Sequence, residues 1–386
     1  MKKRNASKKQ LSTDGKVAPR SDRVLPAIKV VGVGGAGGNA LTRMADKIRH
    51  VETIAINTDL QDLRGAVAKK KLQIGKTVTH GLGAGMNPEI GRQAAEENKD
   101  DIARLLEGAD MIFLTCGLGG GTGSGATSVV AEIAKTAGAL TVAVITRPFE
   151  FEGLQRAVIA DHAWGELVKR VDAIITVPND RIFALISRTT PLHKAFSQID
   201  EILREGVQGI VDLIARPGLI NVDFADIKTI LSSAGPSLLA IGYATGDGRA
   251  REAASAAIRS PLLDVTVDGA KGLLFTVSGR ALTMAEVHDA AQVVTESIDP
   301  KARVIFGATF DPRIEKNGMK VIVIATGFNG NSAGEHTLSQ NHAAPLPFLQ
   351  DRKDRESGDL QNVFEEKFKP YEKFEEPAIL RKKKGK

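Results

Sequence analysis

The stretch Met111-Ile112-Phe113-Leu114-Thr115-Cys116-Gly117-Leu118-Gly119-Gly120-Gly121-Thr122-Gly123-Ser124-Gly125 carries the strongest structural signal in the chain. An apolar run stops at a glycine cluster and resumes as Ala126-Thr127-Ser128-Val129-Val130-Ala131, the pattern of strand, tight loop and helix start. Glycines let a loop aim several backbone N–H groups at one point, and the helix N-terminus behind them adds partial positive charge. Together they form a phosphate cradle. The loop has no lysine, so it differs from the G-x-x-x-x-G-K-[ST] loop of common nucleotide hydrolases.

The alternation continues on both sides. Apolar strands are expected at 27–33, 52–57, 71–75, 110–116, 140–146 and 172–177, with helical patterns between them. Strands alternating with helices predict a doubly wound, mainly parallel α/β sheet. Residues 194–216 then place apolar side chains at 196, 199, 202, 203, 207, 210 and 214, a helix that stops before Pro217-Gly218. A smaller α+β domain follows: helix 224–233, strand 237–244, helix 248–258, strand 272–279, helix 283–298, and strands 302–310 and 319–327. The expected organisation is a disordered basic extension (1–24), a nucleotide domain (25–193), a central helix (194–218), the second domain (219–328), a flexible linker (329–375) and a terminal peptide (376–386).

Composition agrees. An apolar fraction of 42% suits a globular core, and 39 glycines suit many β–α turns. No apolar run reaches the roughly 20 residues of a membrane span. The charged N-terminus has no apolar stretch behind it, unlike a secretory signal. The single cysteine, Cys116, excludes an internal disulfide and reads as packing. The net charge of +6 is uneven: residues 1–24 hold eight Lys or Arg against two Asp, and the last ten hold five and no acid. The body is therefore mildly acidic, which argues against a nucleic-acid-binding face. The histidines at 50, 80, 162, 193, 288, 336 and 342 are scattered and form no metal-binding spacing, although His193 falls near the expected base site.

A rival signal lies upstream. Gly32-Val33-Gly34-Gly35-Ala36-Gly37 fits G-x-G-x-x-G, and Asp59 ends the next strand, so a dinucleotide site of an NAD(P)-dependent oxidoreductase meets the same criteria. A third glycine loop, Gly81-Leu82-Gly83-Ala84-Gly85-Met86-Asn87-Pro88-Glu89, also precedes a helix. Three such loops suit a chain of phosphates better than one pyrophosphate.

Six segments together carry a resemblance: Gly32 to Ala40, Gly81 to Glu89, Gly119 to Gly125, Thr146 to Gly153, Val177-Pro178-Asn179-Asp180-Arg181 and Asn221 to Asp226. Their residues and order resemble the tubulin and FtsZ superfamily over roughly residues 25–328. The Asn221 to Asp226 motif and the terminal Pro-Ala-Ile-Leu-Arg segment are closer to bacterial FtsZ proteins than to eukaryotic tubulin. Ala36, Gly38, Met86, Ser124 and Glu201 depart from the common FtsZ pattern.

The resemblance implies a GTPase that assembles head to tail into filaments of a cell-division ring. It places the chain in the cytoplasm, beneath the inner membrane at the division site. A tubulin-like filament protein with a plasmid-partition or other cytoskeletal role is the alternative. By resemblance, Gly34, Gly35 and Asn39 cradle phosphate, while Gly83, Ala84 and Gly85 face the γ-phosphate. Gly120, Gly121, Thr122 and Gly123 hold the α- and β-phosphates. Glu152 and Arg156 take the ribose region, Asn179 and Asp200 read the guanine, and Phe196 either covers the base or packs in the core. Mg²⁺, held mainly by phosphate and water, and K⁺ are the expected ions.

Asn221, Asp223 and Asp226 are the catalytic candidates. By spacing, Asp223 and Asp226 equally suit the N-cap and N3 positions of the following helix. The family role has them reach the γ-phosphate of the neighbouring subunit. Residues 376–386 resemble the peptide by which FtsZ proteins dock onto membrane tethers and regulators, or form a solvated basic tail. Pro345 to Leu349 is a weaker second candidate.

Overall fold

The computed structural model describes residues 25–187, 189–215, 218–220, 222–260, 263, 267, 269–296 and 298–328. Ten strands form one sheet: β1 Ile28–Val33, β2 Glu52–Asn57, β3 Lys70–Gln73, β4 Met111–Gly117, β5 Leu140–Arg147, β6 Ala173–Pro178, β7 Gly235–Thr245, β8 Gly272–Gly279, β9 Arg303–Phe310 and β10 Gly318–Thr326. The helices are α1 Gly34–Met44, α2 Leu60–Gly65, α3 Lys76–Thr79, α4 Pro88–Glu97, α5 Lys99–Leu106, α6 Thr122–Thr136, α7 Leu154–Leu167, α8 Leu192–Ala215, α9 Phe224–Leu231, α10 Arg249–Ile258 and α11 Met284–Thr295.

The spatial order is β3-β2-β1-β4-β5-β6-β7-β10-β8-β9. Pairs from β3 through β7 are parallel, as is β8 with β9; only β10 runs against its neighbours β7 and β8. The expected α/β sheet is therefore present. Its first six strands follow the doubly wound order 3-2-1-4-5-6, with the switch point between β1 and β4. Two of the three glycine loops leave those two strands.

Strands β1 and β4 read as unbroken apolar runs because helices cover both faces. Val30, Phe113, Val142 and Ile175 face one core with α1, α8 and α9. Val31, Ile112, Ala143 and Ile174 face the other, with α4 to α7. A third core lies between β7, β8, β10 and helices α10 and α11. Helix α8 starts two residues earlier than its periodicity suggests. At 24 residues it spans about 36 Å. Helix α11 stops at Thr295, short of the expected 298, and begins with a full capping box between Thr283 and Glu286. Strand β3 is four residues long and starts at Lys70, one residue before the expected position. Among the described residues, no helix is long and apolar enough to cross a membrane.

Candidate nucleotide site

The loop from β4 to α6 is held from within. The Gly119 N–H donates to Ser124 Oγ at 2.9 Å, and Thr127 Oγ1 donates to the Gly123 carbonyl at 2.6 Å. Gly119 has φ +96°, a conformation that only glycine adopts without strain. No side chain caps α6, so its first-turn amides remain open to a ligand.

The other glycine loops converge on it. Gly34 opens α1 at φ +74°, and a Cβ there would sit 2.9 Å from the Gly123 nitrogen. A Cβ on Gly121 would sit 2.8 Å from Ala84 Cβ. The third loop is tied to the end of β2, where the Leu60 N–H donates to the Gly81 carbonyl at 3.1 Å and Asp59 bridges Leu82. The result is a cleft of about 610 Å³ whose walls include Gly34, Gly35, Gly83, Ala84, Gly85 and Gly120 to Gly123.

Thr122 also lines the cleft, and its hydroxyl meets that of Thr58 at 2.7 Å. If Thr58 donates, Thr122 keeps its own proton for a phosphate oxygen. Asn57, Asp59 and Asp62 border the same space. These residues of the β2–α2 turn were absent from the sequence reading, except for Asp59 as a dinucleotide signal. Asp59 Oδ1 accepts from the Gln61 and Asp62 amides as the N-cap of α2.

The far end of the cleft is aromatic and polar. Glu152 accepts from the Phe149 N–H at 3.0 Å and pairs with Arg156 at 2.8 Å, and both border the cleft. A second chamber of about 260 Å³ shares Ala36, Gly117, Thr146, Asn179 and Phe196 with the main cleft. Asn39, Arg43, Thr115 and Asp200 complete it. Asn39 thus lies with Asp200 rather than along the phosphate loops. Phe196 packs its ring edge-on against Phe149 at 5.6 Å, and it also lines both spaces.

Asp200 pairs with Arg43. Asn179 Oδ1 and Thr115 Oγ1 are buried without a hydrogen-bond partner. Glu201 turns away to Lys47 at 2.8 Å and Arg204 at 2.6 Å. Burial alone would raise its carboxyl, but these two cations bring it down to about 2. Cys116 borders the chamber, and burial pushes its thiol up to about 12, which leaves it inert at neutral pH. His193 is exposed and lines neither space.

Asp223 and Asp226 are not brought to this cleft. Both are exposed. Asp223 occupies the N-cap of α9, yet its side chain makes no capping bond. The preceding segment is pinned to β9, where the Leu219 N–H donates to the Ala308 carbonyl at 2.8 Å. Asn221 lies outside the described residues, as do residues 1–24, the linker, Pro345 to Leu349 and the terminal peptide.

Residues 27–187 match the Tubulin/FtsZ family, GTPase domain, and residues 235–329 match the FtsZ family, C-terminal domain. Among solved structures, the chain is similar to an empty FtsZ dimer from M. jannaschii. That match is 45% identical, covers 80% of this chain and 90% of that one, and has a TM-score of 0.76. It shares its fold with a GTPγS-bound protofilament of CetZ2 from Haloferax volcanii at 22% identity, covering 79% and 94% of the two chains, with a TM-score of 0.67. A glycine fingerprint on a 3-2-1-4-5-6 sheet fits dinucleotide enzymes equally well, but both halves of this chain align, in order, with a different architecture. The chain belongs to the FtsZ family within the Tubulin/FtsZ superfamily.

Proposed function

We propose that this chain binds and hydrolyses GTP and assembles head to tail, each interface completing one active site. The observation that carries this reading is a division of labour. Three glycine loops form a phosphate cradle in one cleft, while Asp223 and Asp226 stand exposed outside it. Within one subunit those carboxylates have no phosphate to act on. The FtsZ dimer and the CetZ2 protofilament among the similar structures support assembly.

In this mechanism the α6 amides and the Gly34, Gly35 and Gly83 to Gly85 backbones hold the phosphates, aided by the Thr122 hydroxyl. Glu152 and Arg156 flank the ribose. Asn179 and Asp200 read the guanine, the Asp200 carboxylate accepting from its N1–H and 2-amino groups. Adenine lacks both donors there and would leave Asp200 with Arg43 alone, a source of discrimination. Asp223 and Asp226 of the adjacent subunit orient and polarise the attacking water, with Asn221 fixing water or phosphate. Mg²⁺ supplies charge neutralisation when bound, held mainly by phosphate and water, with K⁺ assisting. In this reading residues 25–193 hold nucleotide and residues 219–328 present the catalytic loop. The 376–386 peptide docks tethers at a division ring beneath the membrane.

The test is phosphate release from GTP, with Mg²⁺ and K⁺, against protein concentration. A threshold followed by a steep rise in rate per molecule is expected, and Asp226→Ala should retain GDP binding but lose turnover. A rate per molecule that stays flat, or normal turnover in Asp226→Ala, would overturn the shared site.

A further inference from the structure

We propose that Asp180 is a positioning residue that holds Glu152 at the ribose from a neighbouring turn, an inference that rests on the GTP-binding role proposed above. Both Asp180 carboxylate oxygens accept from the Glu150 N–H, Oδ1 at 3.2 Å and Oδ2 at 3.1 Å. The bond ties two segments that are remote in sequence. One is the helical turn Glu150–Glu152 with the start of α7 behind it, and the other is the turn Asn179–Ala184 that follows β6. Phe151, Glu152 and Arg156 of the first line the main cleft, as does Asn179 of the second. Asp180 lines neither the cleft nor the second chamber.

The 150–152 turn has braces of its own. Glu152 accepts from the Phe149 N–H, and its own N–H returns to the Phe149 carbonyl at 3.0 Å. These bonds set the shape of the turn but not where it stands. Its place is set from the second segment, where Phe183 meets the Phe149 ring at 5.7 Å and Asp180 takes the Glu150 N–H. Stability does not call for a carboxylate here. Burial, with the charges of Glu150 and Glu152, pushes the Asp180 carboxyl above its ordinary range, against the bond from the Glu150 amide and the charge of Arg181. A charge kept where it costs stability, next to groups that line a cleft, is characteristic of a functional position. Glu150 is exposed, so water replaces the acceptor when the carboxylate is removed. The fold then loses little, and the loss falls on the position of Glu152.

The test reads the ribose directly. Wild type, Asp180→Ala, Asp180→Asn and Glu152→Ala are titrated with GDP and with 2′,3′-dideoxy-GDP, which lacks both ribose hydroxyls. Wild type should prefer GDP. Asp180→Ala should cut that preference about fivefold, the size of one net hydrogen bond, and should change the affinity for the dideoxy ligand by less than about twofold. Asp180→Asn keeps an acceptor oxygen and should restore most of the preference. Adding Asp180→Ala to Glu152→Ala should weaken GDP binding no further, because Asp180 acts through Glu152. Without nucleotide, Asp180→Ala should melt within about 3 °C of wild type. Equal losses for both ligands, an unchanged preference, additive losses in the double variant or a larger fall in melting temperature would overturn the assignment. So would wild-type protein that binds the two ligands equally. Wild-type protein that binds neither would instead refute the GTP-binding role itself, and the inference with it.

Discussion

Ser124→Ala probes the phosphate cradle without touching any group expected to contact nucleotide. Ser124 Oγ accepts the Gly119 N–H at 2.9 Å in a buried setting. Removing the oxygen leaves that amide buried and unpaired, at a cost of about 1–3 kcal/mol. Gly119 sits at φ +96°, beside Pro148 and Arg156, and this bond fixes its amide. The loop should therefore relax, and the α6 amides should lose their common aim. At about 2–4 °C per kcal/mol, the ligand-free protein should melt roughly 2–12 °C lower. GDP affinity should fall about tenfold, because part of the binding energy must now re-form the loop. Scanning fluorimetry and a GDP titration on the same preparation give both numbers. An unchanged melting temperature together with unchanged GDP affinity would show that the hydroxyl does not brace the loop, and the account of the cradle would fail.

Gly121→Ala should weaken GDP binding by more than tenfold in the same titration. Its Cβ would press on Ala84 Cβ at 2.8 Å and on the Ala84 carbonyl oxygen at 2.9 Å, forcing two phosphate loops apart. Glu286→Gln should flatten the fall of melting temperature between pH 5 and pH 2. Arg249 at 2.6 Å holds the Glu286 carboxyl at about 2, against an ordinary 4.5. A depressed carboxylate contributes stability above its unfolded value and loses it as the pH falls through the folded one. The wild type should therefore lose this contribution across that window, and the variant should lack it at every pH.

The local parts of this protein were legible in its sequence. Strand, glycine loop and helix start at β4–α6 follow from short-range rules, because apolar period and positive φ are properties of neighbouring residues. The same rules found β1, β2, β5 and β6, the periodic face of α8, and all three phosphate loops. They were least accurate at element ends. Thr283 and Glu286 fix the start of α11 by capping, while its end at Thr295 carries no comparable signal.

What the sequence alone determined was a set of phosphate-binding turns on an α/β sheet, and this left dinucleotide and GTP chemistry both open until six motifs were read together. The tertiary structure decided which turns share a cleft. It set Thr58 against Thr122, Ser124 under Gly119 and Arg43 on Asp200. It sent Glu201 to Lys47 and Arg204 instead of the base, and it left Thr115 without a partner. It also placed β10 antiparallel between β7 and β8. Apart from Ser124 with Gly119 and Glu201 with Arg204, which are close in sequence, none of these pairings has a local signature. Each depends on strand order and on how α1 and α8 pack across the sheet, so residues far apart in sequence become neighbours only when the whole chain has folded.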